Sequence, residues 1–402
     1  MAVYKYIAKN KDTLETLSGI LEASTQKEAE DILHKKNLVI VSLNPARAGL
    51  IKKGRQHRIE LNDLVIFSRQ LATMIDSGIT LVTALDILKG QTDNRRLAEI
   101  VSRIYRDVNE GKSFCDAVAK HPAAFSEFYI NMVRAGEASG KLDEVLDRMS
   151  TYLEKTAALR RKVQSALVYP AVVITMAFLI TALLLLKVVP TFKNIFETLG
   201  GTLPLPTRIL IFISDIFKRY FLLFLFLLGL AVFLLKRYID TPRGRYRFDK
   251  LLLKLPIFGP LLLKVGVARF TRTFATLIKS GIPILNALEI VAKTSGNKII
   301  EEAIENSRQA IRQGEPISAP LEKSRVFPPM VVRMIGVGEK AGELEKMLGK
   351  IADFYEDQVD AAVSGLTSII EPLVIAFLGI IIGGIVIALF LPIFKISELV
   401  AK

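Results

Sequence analysis

Three long apolar stretches constrain this chain more than any other feature. They run from about Ala166 to Val189, Tyr220 to Leu235 and Pro372 to Phe394. A helix needs about 20 apolar residues to cross the hydrocarbon core of a bilayer, and its backbone must satisfy its own hydrogen bonds there. The first and third stretches meet that length directly. The second is shorter and draws on the flanking Ile209–Phe217 stretch, or lies beneath the snorkelling side chains of Lys218, Arg219, Lys236 and Arg237. The expectation is three membrane spans separating two large polar regions.

Charge sets the expected orientation. The first span is preceded by Lys155, Arg160, Arg161 and Lys162, and the second is followed by Lys236, Arg237, Arg243, Arg245, Arg247, Lys250 and Lys254. The segment between them, Pro190 to Arg219, carries only Lys193, Arg208, Lys218 and Arg219. By the positive-inside rule both polar regions face the cytoplasm, and the short loop and carboxy-terminal tail lie outside. The opening MAVYKYIAKN has no apolar core of a signal peptide, which keeps the first domain in the cytoplasm. A net charge of +14 invites comparison with nucleic-acid binders. Its excess, however, clusters beside the spans, where anionic headgroups attract it. The single cysteine, Cys115, excludes an internal disulfide and suits a reducing compartment.

The polar regions are copies of one unit. FSRQLATMIDSGITLVTALDIL from Phe67 aligns with FTRTFATLIKSGIPILNALEIV from Phe270, an offset of 270 − 67 = 203. After a one-residue deletion the offset is 338 − 136 = 202, pairing Gly136 with Gly338 and Pro170 with Pro372. A nearly constant offset sustained over about 100 residues marks an internal repeat. Apolar residues recur at three- and four-residue steps, and breakers at Ser77-Gly78, Gly90, Gly111, His121-Pro122, Gly136 and Gly140 divide each unit into about six helices. The last helix of each copy runs into a span, through Tyr169-Pro170 in one and Glu371-Pro372 in the other.

Ahead of the repeats, VYKYIAK, LSGILEA and LVIVSL alternate as strands, and TQKEAEDILHKK reads as a helix with Thr25 as N-cap and Glu28 completing a capping box. The expected organisation is an α/β module at residues 1–45, a basic tether at 46–60 and a first bundle at 61–165. Spans at 166–189 and 220–235 flank an external loop at 190–219; a second bundle at 236–371, a third span at 372–394 and an external tail at 395–402 follow. The fold class is mainly α.

The paired F·R···T·I·SGI segments, both GE··G turns, ALVYPAVV, TPRGR, LLLKLPIFGPL and EPLVIAFLGIIIGGIVIALFLPIF resemble the inner-membrane platform proteins of type II secretion systems and type IV pilus assembly machines, the F-type family. The resemblance covers essentially the whole length. The amino-terminal module departs from the pattern, since KNKDTLETLSG lacks the glycine expected after the first strand. The resemblance implies a non-enzymatic scaffold of the bacterial inner membrane that couples a cytoplasmic hexameric assembly ATPase to pilin or pseudopilin subunits. It also implies other inner-membrane assembly components as partners, and self-association as a dimer or higher oligomer. Neither cofactor nor nucleic acid is implied.

Candidate residues carry two readings each. In GEASG and GEKAG, Gly136, Glu137, Gly140, Gly338, Glu339 and Gly342 form helix–helix turns, with the glutamate accepting from the next helix, or they contact a partner. Arg69 and Arg272 form ion pairs inside each bundle or a docking surface for the ATPase. Glu371 beside Pro372 sits at the membrane interface where a helix starts or kinks, or it contacts a fibre subunit; the first copy has Tyr169 and Pro170 there. Gly379 and Gly383 form a G-x-x-x-G that suits close helix approach, in a helix class already rich in glycine. GKS at Gly111–Ser113 ends like a phosphate loop, but Arg106 stands where the first glycine is required, so it reads as a turn. His34, His57 and His121 are scattered, and the acids Asp143, Glu144, Asp147, Glu343 and Glu345 suit helix starts, with a divalent cation between protomers as the alternative. A transporter would need polar, broken spans. A membrane enzyme lacks its motifs, and a static ATPase anchor is not separable from a moving coupler by sequence.

Overall fold

A computed structural model describes residues 2–10, 16–23, 25–35, 38–46, 58–198, 204–256 and 258–400. Most of the expected tether, including His57, and the last two residues of the expected tail lie outside them. The chain divides into two compact units: Met1–Ile59 with Asn94–Arg96, and Glu60–Asp93 with Leu97–Lys402.

The first unit holds three antiparallel strands, β1 (Ala2–Asn10), β2 (Thr16–Ala23) and β3 (Leu38–Ala46), in the order β2-β1-β3. Helix α1 (Gln26–Lys35) connects β2 to β3, and the Thr25 hydroxyl accepts the Glu28 N–H at 3.3 Å as an N-cap. Leu33 of α1 is buried with Ala8 and Leu38 of the sheet. Pro45 is tolerated because β3 is an edge strand.

The second unit is helical throughout its described residues. The first copy comprises α2 (Leu61–Asp76), α3 (Leu81–Gln91), α4 (Arg95–Asn109), α5 (Phe114–Ala119), α6 (Glu127–Ser139) and α7 (Leu142–Leu183). A π-helical turn, Leu184–Val188, leads from α7 into α8 (Val189–Thr198). After α9 (Leu205–Ile239) and α10 (Pro242–Lys254), the second copy comprises α11 (Phe258–Lys279), α12 (Ile284–Thr294), α13 (Lys298–Arg312), α14 (Ser318–Ser324), α15 (Pro329–Ala341) and α16 (Leu344–Val400). Equivalent positions are buried in both: Phe67 and Phe270, Leu85 and Leu288, Leu97 and Ile300, Val118 and Leu321, Leu146 and Leu348. One core pattern has been laid down twice.

Three helical stretches, Leu142–Ile195, Leu205–Ile239 and Leu344–Pro392, are long and apolar enough to cross a membrane. Their middles leave large apolar side chains such as Val172, Leu179, Leu222, Phe226, Ile375 and Ile380 exposed, which suits lipid and not water. The protein is therefore a mainly α membrane protein. Helices α10 and α11 meet at 111° and are also apolar in sum. In α11, however, Val267, Phe270, Phe274 and Leu277 are fully buried inside the second bundle, so that hydropathy belongs to a core.

Two expectations are corrected. Pro372 does not start a helix: α16 runs unbroken for 57 residues through both Pro372 and Pro392, and α7 runs 42 residues through Pro170. Proline costs one backbone hydrogen bond, which long flanking helix and lipid confinement outweigh. The segment expected as a loop at 190–219 is helical at 190–198 and 205–219. Pro204 and Pro206 stand at the start of α9, where a missing N–H has no cost and the fixed φ favours a helix.

Candidate functional site

In the repeated turns each residue of GE··G has a separate task. Gly140 and Gly342 end α6 and α15 with φ of +70° and +69°, a left-handed conformation glycine adopts without strain. The Lys141 N–H donates to the Gly136 carbonyl at 3.0 Å and the Glu343 N–H to the Gly338 carbonyl at 2.9 Å, closing the same Schellman motif twice. Gly136 and Gly338 lie one turn earlier, where the next helix crosses. A Cβ on Gly136 would approach Leu142 Cα to 3.2 Å, and one on Gly338 would approach Met347 Cγ to 2.8 Å.

The glutamates overturn one expectation. They do not reach forward to the next helix; they reach back across the bundle. Glu137 accepts the Phe114 and Cys115 N–H groups at 2.6 and 2.9 Å, and both Glu339 oxygens accept the Ile317 N–H at 2.8 and 3.0 Å. Each carboxylate thus caps the short helix just before its own, α5 or α14, where free N–H groups and the helix dipole favour a negative charge. In the GKS turn Gly111 has φ +89° and the Ser113 hydroxyl accepts the Asp116 N–H at 3.0 Å. The Lys112 ammonium is bound to Asp107 at 2.6 Å and Glu110 at 3.2 Å, and Lys120 also reaches Asp107 at 2.8 Å. Hydrogen bonds from Lys112 and then Lys120 hold the Asp107 carboxyl down at about 2.

The repeated arginines sit on the first helix of each bundle, α2 and α11, and pair with acids on the last, α7 and α16. Arg69 pairs bidentately with Glu154 at 2.6 and 2.8 Å and reaches Asp147 at 2.6 Å, which raises its already high pKa, the Glu154 hydrogen bond leading. Arg272 pairs with Glu356 at 2.7 Å and Asp353 at 2.5 Å. The copies meet along this seam. Lys155 of α7 reaches Asp353 and Glu356 of α16 at 3.3 and 3.6 Å, and Lys162 pairs with Asp360. Arg148 donates to the Lys279 carbonyl at 2.6 Å, and Tyr152 and Thr273 share a buried hydroxyl hydrogen bond at 3.0 Å. A cavity of about 310 Å³ opens between the copies, lined by Asp147, Arg148, Thr151, Tyr152, Arg272 and Lys279 among others. Nearer the spans the seam turns apolar, with Leu159 and Val163 against Val359 and Leu366.

At the other end of the spans, α9 joins the two long helices through Leu210 and Ile211 packed with Leu185, Val189, Ile385, Ala388 and Leu389. Two buried hydroxyls of α9 cross this cluster. Thr207 donates to the Ala388 carbonyl at 2.5 Å, and Ser214 to the Leu185 carbonyl at 2.5 Å. Both carbonyls are orphans of a proline. Ala388 would receive the N–H of residue 392, which is Pro392. The π turn gives the Val189 N–H to Leu184, so Leu185 would look to residue 190, which is Pro190. These four residues escaped the sequence reading. The offset 392 − 190 = 202 repeats the register of the copies and was a visible signal; the hydroxyl partners on a third helix were not.

Tyr169 is exposed, and nothing approaches a Cβ placed on Gly379 or Gly383 within 4 Å. The side chain of Glu371 lies outside the described residues. Asp143, Glu144 and Glu345 occupy first helical turns, and among the described residues no group of three or more His, Cys, Asp or Glu side chains is arranged to hold a metal.

A family model described as type II secretion system (T2SS), protein F, matches residues 67–190 and again 270–392. The chain is 45% identical over 401 residues to the type IV pilus assembly protein PilC of Thermus thermophilus, covering 98% of both chains. It is 46% identical over 339 residues to PilC of Myxococcus xanthus, covering 84% of this chain and 81% of that one. It is 32% identical over 407 residues to the type II secretion system protein F of Pseudomonas aeruginosa, covering the whole of each.

Proposed function

Since the chain belongs to the type II secretion system protein F family, we propose that it is a non-enzymatic inner-membrane platform of a pilus or secretion assembly machine, coupling a cytoplasmic ATPase to the insertion of pilin or pseudopilin subunits. The observation that carries this reading is the continuity of α7 and α16, each a single helix from bundle core to membrane span. A force applied to either bundle has a stiff path into the bilayer. The basic flanks of the first two spans support a cytoplasmic position for both bundles. In this reading the exposed faces of the bundles meet the ATPase and other inner-membrane components, and the exposed Tyr169 and the open Gly379–Gly383 face meet fibre subunits or a second copy.

Insertion of two glycines ahead of Pro170, and separately ahead of Pro372, tests the coupling. Membrane insertion and ATPase co-purification should persist while fibre growth or secretion is lost. Normal growth or secretion in both variants refutes a mechanical role for the continuous helices.

A second reading, a static ATPase anchor, draws on the ion pairs that tie the two copies together along their seam.

A further inference from the structure

Only two residues, Asp240 and Thr241, separate the end of α9 from the start of α10. The junction is tight: a Cβ on Gly244 would lie 1.9 Å from the Tyr238 carbonyl oxygen, so the first turn of α10 packs against the end of α9. Thr241 caps that turn by accepting the Gly244 N–H at 3.1 Å. The inner face of α10 is fixed as well. Asp249 is buried and accepts the Lys298 N–H at 2.8 Å, capping α13, while Gly244 is buried and Phe248 and Leu252 are half-buried.

The outer face carries Arg243, Arg247, Lys250 and Lys254, all exposed, at steps of four, three and four residues. That spacing places four cations in one narrow stripe. Tyr246 and Leu251 flank it, and Leu251 is 60% exposed. Exposed Lys236 and Arg237 continue the positive surface onto the last turn of α9. Among the described residues none of these six cations makes an ion pair, whereas Arg69, Lys112, Lys155 and Arg272 all do. Arg247 reaches the Tyr238 hydroxyl at 3.4 Å, a polar tip on an aromatic ring of the kind found at membrane surfaces.

We propose that α10 lies in the membrane interface and binds anionic phospholipid headgroups through Arg243, Arg247, Lys250 and Lys254, with Leu251 and Tyr246 entering the headgroup boundary. Unneutralised cations next to a span, flanked by apolar side chains, match a surface of negative phosphates above acyl chains. Because Asp249 and Gly244 fix α10 to α13 and α9, lipid charge would set the posture of the whole second bundle against the bilayer.

The chain contains no tryptophan, so Leu251→Trp supplies a single indole reporter. The full-length variant is reconstituted into vesicles of phosphatidylcholine alone, or with phosphatidylglycerol added, each containing a trace of acyl-brominated phosphatidylcholine. Expected is several-fold stronger bromine quenching with phosphatidylglycerol, weakened by salt. Adding Arg243→Gln, Arg247→Gln, Lys250→Gln and Lys254→Gln should abolish the gain; Arg243→Lys with Arg247→Lys should keep it. If the glutamine variant fails to fold in detergent, the lipid and salt titrations of the parent decide alone. Quenching indifferent to phosphatidylglycerol overturns the proposal. So does an indole that stays open to aqueous acrylamide in anionic vesicles, which would leave the stripe to an acidic protein partner.

Discussion

Glu137 and Glu339 look like partner-binding carboxylates because they recur in a short motif, yet each is occupied by backbone N–H groups of its own bundle. A charge-assisted bond to a helix start that is lost while the N–H stays buried costs about 1–3 kcal/mol. Glu137→Ala and Glu339→Ala should therefore each lower thermal stability of the detergent-solubilised protein by about that much, and more together, without changing membrane insertion. Unaltered melting in both would return the glutamates to a partner role. The glycines predict an asymmetry. Gly338→Ala should destabilise more than Gly136→Ala, since its Cβ meets the Met347 side chain at 2.8 Å against 3.1 Å to Val145. Asp107 predicts a pH dependence. Its folded pKa is depressed to about 2, so its contribution is complete above the ordinary carboxylate range near 4 and disappears as pH falls from there toward about 2. Asp107→Asn should flatten the acid limb of the stability profile over that window; an unchanged limb would show that Lys112 and Lys120 do not hold it.

Among the elements, the spans invite the clearest test. Thr207 and Ser214 satisfy carbonyls that Pro392 and Pro190 leave without an N–H. Interhelical hydrogen bonds in membranes average about 0.6 and reach about 1.7 kcal/mol. Thr207→Val should cost that much in the parent and less when Pro392→Ala restores the backbone donor, a non-additivity read from a double-mutant cycle in melting experiments. Additive effects would mean that the hydroxyl serves something other than the orphaned carbonyl. Here the limits of sequence reading are physical. The spans, the αL glycines and the helix counts were legible because they depend on composition and on spacing within a few residues. The glutamate caps span more than twenty residues of chain, and the hydroxyl–carbonyl pairs join different spans, so local spacing carried no trace of them. The passage of each last helix into a span was legible in the unbroken apolar run. Only a helix start at Pro372 was a wrong alternative, because proline is a stop signal in water, whereas in lipid the alternative to a helix is worse.

For the whole molecule, duplication has produced two bundles that are alike in core but meet along a polar seam of Lys155, Asp353, Glu356, Lys162 and Asp360. Exposed ion pairs of this kind contribute only about 0–1 kcal/mol each, so they hold one arrangement without forbidding others. The apolar part of the seam lies closer to the spans, around Val359 and Leu366. A platform that moves would therefore part at the bundle end and stay joined near the membrane. Lys155→Cys with Asp353→Cys in a Cys115→Ser background places one thiol on each long helix, and a short bis-maleimide containing a reducible disulfide can join them. Joining should leave the protein inserted, should reduce fibre growth or secretion several-fold, and should be reversed by reductant. Growth that continues undiminished in the joined protein would show that the seam never opens, and the static anchor would then be the better account of why two copies were kept.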